Sequence, residues 1–210
     1  MSIFGLDSAS VLARTSGAAS VRVPTAQQSL LIGSLGFGLV SLVVFGTVAF
    51  AEGWLFRHLG RLGSYAFWAL LSALGAGTAL NRLVIGAGNP VRAFLAFAVA
   101  FLIYAATWTA AYFVLRGQSG EWIGSISGSI LMALFLCAVF SAWSSRVILA
   151  LLAGNLAGYF LGRIVWTSVP GPSGMVGWGL IYGLGFGAGL GFALYLCQEK
   201  VRAELIKTSL

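Results

Sequence analysis

Six long apolar segments make up most of this chain and constrain its fold more than any other feature. They cover residues 29–50, 65–85, 91–115, 123–142, 147–166 and 174–197. A helix needs about 20 apolar residues to cross the hydrocarbon core of a bilayer. Only 8% of the residues are charged, whereas soluble domains carry about 25%. Because so few charges cannot cover a water-exposed surface, we predict an all-α integral membrane protein with six transmembrane helices.

The second and fifth segments resemble each other. Residues 69–84 (ALLSALGAGTALNRLV) match residues 150–165 (ALLAGNLAGYFLGRIV) at eight positions with one constant offset, and this alignment pairs Arg82 with Arg163. In the same order along the chain, residues 32–34 (IGS) match 123–125, and residues 102–104 (LIY) match 180–182. The pattern predicts a duplicated three-helix unit, with residues 29–115 as one repeat and 116–197 as the other. Residues 1–28 and 198–210 are then the N-terminal and C-terminal tails.

An odd number of helices in each repeat has a consequence for topology. The second repeat must enter the membrane from the opposite side, which makes the two halves inverted repeats, as in several transporter folds. Between the first two segments, residues 52–64 alternate apolar side chains with Arg57, His58 and Arg61. Apolar and basic residues that recur at helical spacing are typical of a short amphipathic helix that lies at the membrane interface.

The basic residues predict the orientation. On the side of both tails lie Arg14, Arg22, Arg82, Arg92, Arg146, Lys200, Arg202 and Lys207, and on the other side lie Arg57, Arg61, Arg116 and Arg163. Loops that carry the excess of Lys and Arg generally face the cytoplasm. We therefore expect both termini to be cytoplasmic, and we expect the membrane to be the inner membrane of a bacterium. These cations are not clustered, so nucleic-acid binding is not expected.

Polar residues within the apolar segments are candidates for a transport pathway or a ligand site. Asn155 lies near the middle of the fifth segment, and further candidates are Asn81, Thr78, Tyr104, Thr107, Trp108 and Tyr182. Such residues also serve as hydrogen-bonding links between helices or as packing groups. Arg82 and Arg163 are either gates for an anion at the two mouths of a path or anchors that reach the headgroups, and we favour the anchors.

Glycines recur at helical spacing on the sixth segment, at Gly179, Gly183, Gly187 and Gly191. Such a stripe lets another backbone approach closely. It predicts tight helix contact, within the chain or between copies, and the alternative is space for a flat ligand such as a pigment or quinone.

The residue types that support most intramembrane chemistry are missing from the segments. No Asp, Glu or Lys lies within them, the one histidine is His58, and Cys137 and Cys197 occur singly. The sequence therefore predicts no enzyme and no metal site, and it specifies no cofactor.

We expect a small passive channel or facilitator for a small neutral or anionic solute. The alternative is a non-catalytic subunit of a respiratory or photosynthetic membrane complex, which would dock partner helices, lipid or pigment. Its partners would be the lipid bilayer together with further copies of the chain or other membrane subunits.

Overall fold

The computed structural model describes residues 4–16, 21–86 and 90–208 of the chain, and the regular structure among these residues is helical, with no strand. The helices are α1 (Ser8–Thr15), α2 (Ala26–Leu80), α3 (Pro90–Leu115), α4 (Gly117–Phe140), α5 (Ser145–Ser168), α6 (Pro172–Cys197) and α7 (Glu199–Thr208), with a 3-10 turn at Asn81–Leu83. Five of them, α2 to α6, are long and apolar enough to cross a membrane. The chain is therefore a helical integral membrane protein, as the sequence predicts.

Helix α2 folds back on itself near Gly60, which has φ 67° and ψ 176° and is the one non-helical residue inside it. A Cβ added at Gly36 would lie 3.0 Å from the Cβ of Ala79. Near the other end of the same contact, the indole N–H of Trp68 donates to Thr47 Oγ1 at 3.2 Å. Early residues of α2 thus contact late ones, so residues 26–59 and 61–80 run antiparallel.

The predicted interfacial helix over residues 52–64 is not a separate element, because these residues continue α2 through the break at Gly60. Glycine tolerates a positive φ that other residues avoid, so the backbone changes direction at one residue and no loop is needed. Trp54, Leu59 and Leu62 remain exposed along this stretch.

Helix α6 packs through glycines on two of its faces. On one face, a Cβ added at Gly187 would lie 2.3 Å from the carbonyl oxygen of Gly33 in α2. On the other face, a Cβ at Gly185 would lie 2.6 Å from the Cα of Gly158 in α5. Only residues without a side chain permit such backbone contact. As a result, α2, α6 and α5 form one tightly packed layer.

A second pair of helices uses the same device. Glycines of α4 lie against aromatic residues of α3, with Gly124 facing Trp108 and Gly128 facing Tyr104. The two helices run antiparallel after a sharp turn at Arg116 and Gly117, both of which have positive φ.

Both tails meet at one end of the helical bundle. Arg14 of α1 donates from Nε to the carbonyl of Gly86 at 3.2 Å. The buried side chain of Gln198 accepts a hydrogen bond from the N–H of Ile85 at 2.7 Å and donates to the carbonyl of Leu83 at 3.0 Å. Val11 and Val201 pack with Ile85 in one small apolar cluster. The end of α2 is thereby joined to both α1 and α7.

Candidate functional site

A cavity of about 190 Å³ lies among α2, α3, α5 and α6. Most of its wall is aromatic, and none of the charged side chains that the structure describes lines it. The lining residues are Phe45, Tyr65, Trp68, Ala69, Ser72, Phe101, Tyr104, Ala105, Trp108, Thr109, Tyr159, Trp178 and Tyr182.

Beside the cavity, α3 contacts the later part of α2 at two points that lie far apart along the helices. At one end, a Cβ at Gly77 would lie 2.6 Å from the ring of Phe94. At the other end, the rings of Tyr65 and Phe113 are 5.7 Å apart. Between these points, Trp68, Tyr104 and Trp108 line the cavity with large aromatic side chains. On the other side of the bundle, glycines let α5 and α6 approach closely.

A buried hydrogen-bond network joins four helices and reaches the cavity through Tyr104 and Tyr182, which line it. The hydroxyl of Tyr104 donates to Asn155 Oδ1 at 3.0 Å, and Asn155 Nδ2 donates to the carbonyl of Ser125 at 3.2 Å. The hydroxyl of Tyr182 donates to that of Tyr104 at 3.3 Å. Asn155 is completely buried. In a low-dielectric interior an unpaired amide is costly, so these bonds hold α3, α4, α5 and α6 in register.

Other polar groups of the wall remain free to contact a ligand. Among the described residues, the hydroxyls of Ser72, Thr109 and Tyr159 have no hydrogen-bond partner, although each of them lines the cavity. A hydroxyl can donate as well as accept. The wall therefore offers flat aromatic faces together with several neutral hydrogen-bonding groups.

Two tryptophans of the wall have indole N–H groups that are buried without an acceptor in the described part of the chain. The five-membered edge of each ring lies against a glycine of the neighbouring helix: Trp108 against Gly124, and Trp178 against Gly162. These glycines leave room for the ring edges close to the adjoining backbones. The rings are thus held in place by shape, without hydrogen bonds.

Between the cavity and the end of the bundle where the tails meet, packed aromatic rings fill the space among the helices. The rings of Phe37 and Phe186 are 5.0 Å apart, and that of Phe101 lies 5.7 Å from Phe37. Beyond them, Leu80 and Leu190 are fully buried. The cavity is therefore sealed on that side.

Three of the predicted pathway residues come together in the hydrogen-bond network: Tyr104 and Tyr182 line the cavity, whereas Asn155 is bonded to Tyr104 and does not line it. Trp108 lines the same cavity, as do Tyr65, Trp68, Tyr159 and Trp178, which were not among the predicted candidates. A recurrence of aromatic residues on several segments was the available signal. It was ambiguous, because aromatic residues also anchor helices at the membrane interface.

The other predicted candidates lie elsewhere. Thr78 is exposed, and its hydroxyl donates to carbonyls of its own helix. Thr107 is half-buried, and its hydroxyl donates to the carbonyl of Ile103 in α3. Asn81 and the exposed Arg82 belong to the 3-10 turn near the tails.

Arg163 forms a salt bridge with Glu121, which lies near the start of α4 at the end of the bundle opposite the tails. Because Arg82 lies near the tails, the two arginines are near opposite ends of the bundle. The glycine stripe on α6 (Gly179, Gly183, Gly187 and Gly191) lies in direct contact with α2. Cys137 and Cys197 are buried free thiols.

Comparison with known proteins assigns no family to the chain. No family model matches it, no curated protein matches it, and no solved structure matches it.

Proposed function

We propose that the chain crosses the membrane six times, with α2 crossing twice, and that its halves are inverted repeats. The two antiparallel parts of α2 support this proposal. In the sequence alignment Gly33 corresponds to Gly124, and Tyr104 to Tyr182. Gly33 packs on α6 at Gly187, and Gly124 packs on α3 at Trp108, so equivalent helices form equivalent pairs.

Contact between Tyr104 and Tyr182 supports the same proposal. Equivalent residues of two halves related by a two-fold axis can touch only near that axis. The hydroxyls of these residues are 3.3 Å apart. The cavity beside them is lined from both halves, which is where transporters with inverted repeats place their substrates.

The excess of basic residues favours a cytoplasmic position for the end where both tails meet, in a bacterial inner membrane. A test attaches a protease-sensitive tag to each terminus in turn and digests intact spheroplasts. Both tags should resist protease until the membrane is opened. Cleavage of either tag in intact spheroplasts would contradict the proposed orientation.

We propose further that the protein is a passive facilitator for a small, neutral, flat solute, without catalytic activity. The observation that carries this proposal is the uncharged aromatic cavity between the two halves. A dry cavity of about 150 Å³ holds benzene, so a cavity of about 190 Å³ suits one substituted ring. Stacking of a flat heterocycle on aromatic side chains contributes about 1–3 kcal/mol per ring. The hydroxyls of Ser72, Thr109 and Tyr159 would pair with polar groups at the edge of the ring.

A facilitator fits the geometry better than an open pore does. The rings of Phe37, Phe101 and Phe186 separate the cavity from the end with the tails. Passage therefore requires these rings or their helices to move, as in transporters whose halves rock around a central site.

Flux into proteoliposomes tests the proposal. The probe is uracil, which is flat, neutral and polar, and the comparison is made with protein-free vesicles. We expect uptake down a gradient in the wild type and its loss in Ala105→Phe, because the added ring fills the cavity. The control is Gly46→Phe, since a Cβ at Gly46 would have nothing within 4 Å. Uptake equal to that of protein-free vesicles, or unchanged in Ala105→Phe, would refute the proposed role.

One observation favours the second candidate, a subunit of a larger membrane complex. A groove of about 670 Å³ runs along α5 and α6 and is lined mainly by Ala, Gly and Leu. Small residues on a lipid-facing surface let another helix approach closely. Co-purification with fixed partner chains in mild detergent, together with no uracil flux, would favour this role over the facilitator.

A further inference from the structure

A second pocket, separate from the aromatic cavity, lies at the end of the bundle opposite the tails. Its volume is about 370 Å³, and it is lined by Arg61, Tyr112, Phe113, Arg116 and Gly117. Two of its lining residues are arginines, and no acidic residue of the described part of the chain lines it.

Two backbone turns bring these arginines together. Arg61 directly follows Gly60, where α2 folds back with φ 67°. Arg116 lies in the turn between α3 and α4 and has φ 53°, a value that is uncommon for a residue other than glycine. The two arginines are far apart in the sequence, and the fold places both at the same opening.

Within the described part of the chain, Arg61 and Arg116 form no hydrogen bond and no salt bridge. The salt bridges that do form there belong to Arg146, Arg163 and Lys207. Helix α4 begins beside them, and its first residues have no side-chain cap. The free N–H groups of a helix start add to the positive potential.

We propose that this pocket binds a phosphate group. Arginine forms paired, charge-assisted hydrogen bonds with phosphate oxygens, and two arginines can hold one phosphate from two sides. The phosphate belongs either to a phospholipid headgroup or to a free anion. Exposed Phe113 and Val114 next to the pocket are suited to contact with acyl chains. The site is distinct from the cavity, although Tyr112 stacks on Trp108 of the cavity wall at 5.1 Å.

Binding to the purified full-length protein in detergent tests the proposal, with two probes. One probe is short-chain phosphatidylglycerol and the other is inorganic phosphate, and chloride at equal ionic strength is the blank. We expect saturable binding that weakens by roughly tenfold or more in Arg61→Gln and in Arg116→Gln, as expected for a lost charge-assisted hydrogen bond. Binding of the lipid alone identifies a headgroup site, and binding of both probes shows that the phosphate group suffices.

The matched control is Arg57→Gln. Arg57 is exposed on α2 just before the reversal at Gly60, its Nε donates to the carbonyl of Gly53, and it does not line the pocket. Its substitution should leave binding unchanged. The proposal is overturned if neither probe binds saturably. It is equally overturned if Arg61→Gln and Arg116→Gln bind like the wild type, or if Arg57→Gln weakens binding as much as they do.

Discussion

Replacement of Gly187 by Ala tests whether direct backbone contact between α6 and α2 is what holds the bundle together. The new Cβ would lie 2.3 Å from the carbonyl oxygen of Gly33 and 2.8 Å from the Cβ of Phe37. An ordinary contact at such a position is 3.4–4 Å. Both obstacles lie on or next to the backbone of α2, so a change of rotamer cannot relieve the overlap. The two helices would have to separate by about 1 Å, which loosens the contact along its length.

The expected cost follows from two opposing terms. Overpacking of a tight contact destabilises by about 1–3 kcal/mol, and a backbone obstacle favours the upper end of that range. Alanine is better than glycine in a helix by about 1 kcal/mol. The net loss is therefore about 2 kcal/mol. For a chain of this size each kcal/mol corresponds to about 2–4 °C in Tm, so we expect a Tm lower by about 4–8 °C.

Thermal unfolding of the detergent-solubilised protein measures this shift. Gly46→Ala is the matched control, because a Cβ there would have nothing within 4 Å and the residue also lies in a helix. The control should keep the Tm of the wild type or raise it slightly. If Gly187→Ala proves as stable as Gly46→Ala, the contact is not as close as described, and the packing argument for the whole glycine stripe fails.

Two further substitutions test the buried hydrogen bonds. Asn155→Leu removes the acceptor of Tyr104 and the donor to Ser125, and with about 0.6–1.7 kcal/mol for each intramembrane bond we expect a loss of about 1–3 kcal/mol. The control Thr78→Val removes only hydrogen bonds within its own helix and should leave the unfolding temperature nearly unchanged. If Asn155→Leu and Thr78→Val change the unfolding temperature equally, the network does not stabilise the protein as proposed. Gln198→Leu leaves the N–H of Ile85 buried without its acceptor, so unfolding should require about 1–3 kcal/mol less. A protein as stable as one with exposed Lys200→Gln would show that Gln198 does not join α7 to the end of α2.

The sequence allowed the helices to be predicted well where composition alone decides the outcome. The predicted segment 91–115 corresponds to Pro90–Leu115, and 174–197 corresponds to Pro172–Cys197. These boundaries follow from prolines that start helices and from polar residues that cannot enter lipid. The connection between the first two segments could not be read in the same way. An amphipathic stretch at residues 52–64 is equally compatible with a separate interfacial helix and with the adjoining ends of two antiparallel helices that reverse at Gly60.

The candidate site was predicted only in part. Asn155 stood out because an amide within an apolar segment needs a partner, and Tyr104 and Tyr182 stood out through the repeat. No sequence feature distinguishes Trp68 and Tyr159 as cavity residues, because an aromatic side chain on a membrane helix can face lipid, a neighbouring helix or a cavity. Which of these it faces depends on how closely the helices approach each other.

Local chemistry along the chain is sufficient to specify a helical membrane protein, the approximate limits of its helices and the close contacts that glycine permits. The cavity and the arginine pocket are properties of the tertiary structure. The cavity exists because side chains of α2, α3, α5 and α6, which lie far apart in the sequence, surround one space. The pocket exists because two backbone reversals, at Gly60 and at Arg116, end at the same side of the bundle. Distances between residues far apart in the chain decide both features, and no local pattern encodes them.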